Sequence, residues 1–236
     1  MFKRLAKVIS IILFTSSIFF VGGEVAAQTS FNGIAEVSDP GPFLNGQDST
    51  KRADDHTLEK LSSELRNFIK EVYTGQESTI TGIFVNEGFS MDVIQQPNNS
   101  PGYIAPYEDT LTEFSIARDY GTIGLLAHNY LAGDLFFQLK EGQVVYLVFG
   151  GGAVQTYTIV DILSYQALQP NSPYSNFVNM ENAEDYLSAA DLFYKVYGQE
   201  DALVLQTCIE NQGIESWGRL FIIAIPGAIP VNAGPM

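Results

Sequence analysis

Residues 201–225 read DALVLQTCIENQGIESWGRLFIIAI, and the rest of the chain is interpreted from this stretch. An apolar run over 202–205 predicts a buried strand that ends at Cys208, and a second apolar run over 220–225 predicts its partner strand. The segment between them is rich in Asn, Gln, Gly and Ser, which favour turns. A hairpin of this kind would bring Arg219 back beside Cys208, the only cysteine of the chain.

The same β-type pattern recurs along the chain. Eight runs have it, at 79–85, 90–94, 111–117, 122–127, 144–149, 155–163, 202–207 and 219–225. Short runs separated by turn-forming segments predict an antiparallel sheet or barrel. Apolar residues spaced three or four apart predict two helical segments within it, near 134–139 and over 183–197. The glycine-rich segment 149–152 lies between two strands, so it is a hairpin connection and not a phosphate-binding loop.

The N-terminal third has a different organisation. Residues 1–27 place basic residues before an apolar run and small residues, the pattern of a signal peptide, so we expect an exported, extracellular or cell-surface protein. An uncleaved signal would anchor the chain in the membrane. Residues 28–56 are polar and rich in Gly and Pro, which indicates a flexible leader, and 57–75 show the spacing of an amphipathic helix. These assignments leave 76–230 as one β domain.

Composition excludes several classes of protein. The chain has 236 residues and a net charge of −15, which disfavours nucleic acid and anionic membranes as partners. A hydrophobic content of 46% is enough for a sizeable core. A single cysteine cannot form an internal disulfide, so its thiol is either inert and buried or used in chemistry. Nothing indicates an oligomer, and we expect a monomer.

Cys208, His128 and Arg219 are the candidate catalytic residues. His128 follows the apolar run 122–127, so the end of one strand would carry an imidazole, as the end of another strand carries the thiol. Arg219 would stabilise both a thiolate and the oxyanion formed when a carbonyl is attacked, and His128 could protonate a departing amine. These groups suit acyl transfer through a thioester, and they make phosphoryl transfer, hydride transfer and a zinc site unfavourable.

The motifs around these residues resemble the sortase family of cysteine transpeptidases. The resemblance covers about 79–226 and is carried by TIGLLAHNYLAGDLFFQLKEGQVVYLV, TYTIVDI, LVLQTC and WGRLFIIA. It implies a mainly β fold, a closed eight-stranded barrel with a few peripheral helices and an N-terminal helix. It also implies that Cys208 is the nucleophile, His128 the general acid and Arg219 the stabiliser of substrate and oxyanion. The partners would be a peptide or protein with a sorting signal and an amine acceptor of the cell wall or of another protein.

Three other functions stay open at this point. The chain could be a non-catalytic sortase-fold module that binds peptides or scaffolds other proteins, another cysteine acyl transferase or peptidase, or a protein whose cysteine is inert. No cofactor is expected. Calcium is the one candidate ion, because some sortases bind it where this chain has four carboxylates. They are Glu181, Glu184, Asp185 and Asp191.

Overall fold

The computed structural model describes residues 62–227, apart from 87 and 173. The predicted signal peptide (1–27) and leader (28–56) lie outside the described residues, as do 57–61 of the N-terminal helix and the last three residues of the β domain, 228–230. Within the described part of the chain, no helix has the length and apolarity needed to cross a membrane.

Ten strands form one sheet. In chain order they are β1 (Ile80–Val85), β2 (Ser90–Gln95), β3 (Thr110–Glu113), β4 (Ile123–Leu126), β5 (Val144–Phe149), β6 (Val154–Ala167), β7 (Phe177–Asn179), β8 (Tyr186–Leu187), β9 (Leu203–Asn211) and β10 (Ile214–Pro226). Their spatial order is β10-β9-β4-β3-β2-β1-β5-β6-β7-β8, and β10 also pairs with β6. That pairing closes eight strands into a ring and leaves β7 and β8 as an extension of β6, so the predicted eight-stranded barrel is confirmed.

The expectation of purely antiparallel pairing is wrong. β2 pairs with β3, and β4 with β9, in parallel. Parallel neighbours cannot be joined by a tight turn and need a long crossover. The segment 96–109 supplies it between β2 and β3, and everything from 127 to 202 supplies it between β4 and β9.

Each of the eight predicted runs contributes one barrel strand, with one correction. The run 111–117 is a strand only as far as Glu113 and then becomes the short helix α2 (Ser115–Arg118). Gln96 explains the change, because its side-chain oxygen accepts hydrogen bonds from both the backbone N–H and the hydroxyl of Ser115. The strands β7 and β8 have three and two residues, too few for a periodic pattern to identify them.

Two longer helices pack on the barrel. Helix α1 (Ser63–Glu71) is shorter than the predicted 57–75, because Ser62 caps its start and the carbonyl of Gly150 accepts the N–H groups of Thr74 and Gly75 beyond its end. Its apolar face is buried against β1 and β5, as predicted. Helix α3 (Ala189–Tyr197) begins six residues later than the predicted start at 183. The side chains of Asn179 and Asn182 accept backbone N–H groups and form turns there, which competes with helix formation.

The barrel strands bury both of their faces. Because successive side chains of a strand alternate between these faces, the position of a residue along its strand decides which face it occupies. Leu203 and Leu205 of β9 face the barrel interior, which a 3₁₀ helix (Ala132–Gln138) also enters with Phe136. Val204 faces the opposite side, where α3 covers the sheet. Because successive side chains of a strand point to opposite faces, Cys208 shares the face of Val204 and lies beyond it on β9.

Candidate active site

The hairpin of β9 and β10 brings Cys208 and Arg219 together. The two residues are directly paired in the antiparallel ladder. Directly opposite residues place their side chains on the same face, so the thiol and the guanidinium share one face of the sheet. The turn is tighter than predicted, because only Gln212 and Gly213 form it, both with positive φ (52° and 80°). A two-residue turn of this kind matches the twist of the strands and lets both extend further than their apolar runs indicate.

A bulge in β10 lies next to the pair. The ladder with β9 shifts between Ile214 and Gly218, so β10 carries extra residues there. The bulge turns backbone carbonyls toward the arginine: Nη1 of Arg219 donates to the carbonyl oxygens of Ser216 (2.9 Å) and Gly218 (2.7 Å). Bulges commonly re-aim a side chain beside an active site. Here the bulge fixes one nitrogen of the guanidinium and leaves the other two available.

Arg219 is a fully buried cation with unused donors. Its side chain is 0% exposed, and its Nε and Nη2 atoms have no hydrogen-bond partner among the described residues. Among residues 62–227, apart from 87 and 173, Arg219 also forms no ion pair. A buried donor left unsatisfied costs about 1–3 kcal/mol, and more when it is charged. Such an arrangement suits an oxygen atom supplied by a bound substrate.

His128 follows the end of β4, on the other side of Cys208. The last residue of β4, Leu126, pairs with Gln206 in parallel, and the N–H of Ala127 donates to the Gln206 carbonyl at 3.1 Å. Continued by two residues beyond the end of β4, this register would bring His128 level with Cys208. The strands run β4, β9, β10 across the sheet. Cys208 and Arg219 therefore pair on adjacent strands, and His128 follows the end of the strand on the other side of β9.

The surroundings of His128 lower its pKa below the ordinary value. Burial of the ring is the main cause, and the negative charge of Glu215 and a backbone hydrogen bond with Ile104 oppose it. The ring also stacks on Tyr130, with centroids 5.2 Å apart and planes inclined by 23°. At neutral pH the imidazole is therefore neutral and can accept a proton.

Two positioning residues were missed by sequence reasoning. The buried hydroxyl of Thr207 donates to the carbonyl oxygen of Ala127 at 3.0 Å. A Cβ atom at Gly133 would lie 2.3 Å from Oγ1 of Thr207 and 2.8 Å from the carbonyl oxygen of His128, so only glycine fits there. The carbonyl of His128 accepts N–H groups of Leu131 and Gly133, each at 3.0 Å. Neither residue type signals this role in the sequence, because the contact joins segments about 75 residues apart (133 and 207).

Replacement of Thr207 tests this packing. Thr207→Val removes the hydroxyl and leaves the Ala127 carbonyl without its side-chain donor, so we expect unfolding free energy to fall by about 1–3 kcal/mol. The backbone just before His128 loses its anchor at the same time, so the reaction of Cys208 should slow as well. Thr207→Ser keeps the hydroxyl and is the matched control. Urea unfolding and reaction rates check both effects, and equal behaviour of the two variants would contradict the role given to the hydroxyl.

The calcium prediction gains no support from the described residues. Among them, no group of three or more His, Cys, Asp or Glu side chains could hold a metal ion. Two of the four named carboxylates are engaged elsewhere. Asp185 is paired with Lys195, and Asp191 accepts a hydrogen bond from the hydroxyl of Ser188 at the start of α3.

Comparison with known proteins found similar solved structures but no similar sequence. No protein-family model matches the chain, and no curated protein sequence matches it. Among solved structures, the chain is similar to sortase A of Listeria monocytogenes, with 13% identity and a TM-score of 0.39 over 64% of this chain and 88% of that one. It is also similar to sortase C1 of Streptococcus suis, with 11% identity and a TM-score of 0.44 over 72% and 82% of the two chains. Sortase C-1 of Actinomyces oris gives 12% identity and a TM-score of 0.43 over 72% and 84%. These similarities are at low sequence identity, and the roles of the residues of this chain rest on its own geometry.

Proposed function

We propose that this chain is a sortase-type cysteine transpeptidase that cleaves a peptide through a thioester on Cys208 and transfers the acyl group to an amine. The observation that supports the proposal is the position of β9, which carries Cys208, between β4, which ends two residues before His128, and β10, where Arg219 pairs with Cys208. A nucleophile, a proton carrier and an oxyanion donor are the three groups that acyl transfer needs. The sequence motifs around them support the same assignment.

The acylation step begins with a neutral His128. The imidazole accepts the thiol proton of Cys208 as the sulfur attacks the peptide carbonyl, and a C–S bond forms. The carbonyl oxygen becomes an oxyanion, which Nε and Nη2 of Arg219 stabilise, because these two donors have no hydrogen-bond partner in the described part of the chain. The C–N bond then breaks, and the imidazolium returns its proton to the departing amine. A thioester remains on Cys208.

The second step regenerates the enzyme. An acceptor amine attacks the thioester carbonyl and gives a proton to His128, the oxyanion again faces Arg219, and the C–S bond breaks. The sulfur recovers the proton from the imidazolium. Water can replace the amine, in which case the outcome is hydrolysis.

The substrates follow from the resemblance and from the predicted export signal. The acyl donor is a protein with a C-terminal sorting signal, and the acceptor is an amine of the cell wall or of a second protein. We place the reaction outside the cytoplasm. The acidic character of the chain, with a net charge of −15, favours cationic amines over nucleic acids as partners.

A peptide-library assay tests the function. The purified chain is incubated with peptides that contain varied sorting signals, with and without an amine acceptor, and products are identified by mass spectrometry. We expect cleavage at one site in a subset of peptides and a new amide bond when the amine is present. Absence of cleavage for every peptide, from a protein shown to be folded, would contradict the proposal.

The pH dependence of the reaction should report His128. Only the neutral imidazole can accept the thiol proton, so kcat/KM falls as the pH drops through the pKa of His128. Burial depresses that pKa, so we expect the midpoint of the acidic limb below about 6.5. Glu215 opposes the depression, and Glu215→Gln should move the midpoint to still lower pH, by less than about one unit.

The control for this shift is Glu71→Gln, which removes an exposed carboxylate from α1. Both variants lose one negative charge, but only Glu215 acts on His128. A shift to higher pH for Glu215→Gln, or the same shift for both variants, would contradict the electrostatic role of Glu215.

A further inference from the structure

Four side chains form a row across the sheet that begins at the candidate nucleophile. Cys208 pairs with Arg219, Arg219 pairs with Tyr165 of β6, and Tyr165 pairs with Asn179 of β7. Direct pairs share a face, so the four side chains lie side by side. Tyr165 is 0% exposed and fills the place next to Arg219 on the side away from Cys208.

The far end of the row is closed by a charged cluster. The hydroxyl of Tyr165 donates to Oδ2 of Asp185 at 2.7 Å. The same oxygen accepts hydrogen bonds from Nζ of Lys195 on α3 at 2.7 Å and from Nδ2 of Asn179 at 3.2 Å. The ammonium of Lys195 also lies 5.5 Å from the centroid of the Tyr165 ring, within the range of a cation–π contact.

These contacts fix the charge of Asp185. The hydrogen bond from Lys195 is the main cause that lowers the pKa of the carboxyl, and the bond from Tyr165 adds to it. The pKa of Lys195 is raised by the same bond. Asp185 is therefore an anion that Lys195 neutralises.

Neutralisation of Asp185 by Lys195 matters for Arg219, which pairs with Tyr165. Its guanidinium is buried and forms no ion pair within the described part of the chain. A carboxylate that lacks its partner and accepts the hydroxyl of the neighbouring tyrosine would attract the guanidinium, and the 20% exposure of the Asp185 side chain screens this attraction only in part. Displacement toward Asp185 would take Nε and Nη2 away from the reacting carbonyl.

We propose that Lys195, Asp185 and Tyr165 form a positioning cluster for Arg219, in which Lys195 neutralises the Asp185 carboxylate and Tyr165 fills the space between that carboxylate and the guanidinium. The cluster deepens the proposed function and rests on it. None of its members touches the reacting atoms, so they are positioning residues and act through Arg219.

A double-mutant cycle tests the cluster. Lys195→Met leaves Asp185 charged without its partner, and it should lower kcat on the order of tenfold, the size expected for coupled charges, with KM within about threefold. Asp185→Asn, added to Lys195→Met, removes the charge that attracts Arg219 and should restore kcat to within about threefold of the wild type. Rates are measured well below the melting temperature of each variant, so that all molecules are folded.

Lys70→Met is the matched control. Lys70 is exposed in the last turn of α1, as Lys195 is in the last turn of α3, so both changes remove one positive charge from the last turn of a nine-residue helix. It should leave kcat unchanged. If Lys195→Met does not fold, Lys195→Gln, which also removes the charge, carries the same expectation.

The rate of alkylation of Cys208 by iodoacetamide is a second readout that does not depend on a substrate. A guanidinium beside a thiol favours its reaction with an alkylating agent, so alkylation should slow in Lys195→Met, where Arg219 is displaced, and recover in the double variant. If the wild type forms no thioester with any peptide, the proposed function fails, and the alkylation rates alone decide on the cluster. An unchanged rate in Lys195→Met, or additive losses without recovery in the double variant, would overturn the proposal.

Discussion

Replacing Arg219 with lysine is expected to slow acylation of Cys208 by about 10²- to 10³-fold, the usual cost of removing an oxyanion donor. Lysine keeps the positive charge but not the planar fork, so it cannot satisfy the Ser216 and Gly218 carbonyls and also present two donors to an oxyanion. Because these donors act on charge that develops in the transition state, the loss should appear in kcat more than in KM.

Pre-steady-state acylation rates check this prediction, with Arg66→Lys as the control. Arg66 is an exposed arginine on α1, so the same substitution there should leave the rate unchanged. A loss of less than about tenfold in Arg219→Lys would mean that charge alone suffices, and it would remove the oxyanion role of the two unused donors.

Removing the thiol should have the largest effect of any single change. Cys208→Ala leaves no atom that can form a thioester, and we expect transfer activity to fall by at least about 10⁴-fold, as for other nucleophiles that act with a proton carrier. The side chain is 5% exposed and small, so the loss should not come from unfolding.

Thermal unfolding monitored by circular dichroism separates the two explanations for Cys208→Ala. A folded, inactive variant supports the nucleophile, whereas a folded variant that still transfers the acyl group would assign the chemistry to another residue. An unfolded variant is replaced by Cys208→Ser, which keeps the size of the side chain and carries the same expected loss, because a serine hydroxyl has far less anionic character than a thiol.

Much of the fold was predictable because its strands are strongly apolar. The runs that form β1, β9 and β10 contain almost continuous stretches of buried residues, and β5 has no exposed residue, so their apolar character and turns identify them. The short strands β7 and β8 could not be predicted, because their few residues pair only after β6 is in place. The start of α3 was missed because Asn179 and Asn182 bind backbone groups that a helix would otherwise use.

The candidate site was also predictable only in part. Cys208 and Arg219 could be paired from the sequence, since a hairpin needs only local information. The position of His128 beside them depends on parallel pairing between β4 and β9, which are separated by more than 70 residues (127 to 202). The burial of Arg219 and its pairing with Tyr165 involve β6 and the bulge in β10, and neither can be deduced from one strand alone.

Intact-mass spectrometry of the protein during reaction with a cleaved peptide shows whether Cys208 carries the acyl group. We expect a mass increase equal to the acyl fragment of the peptide, mapped to Cys208 after digestion and lost on addition of hydroxylamine or an acceptor amine. Cleavage of the peptide with an adduct on another residue, or with no adduct in the wild type even when the reaction is quenched with acid at early times, would contradict it.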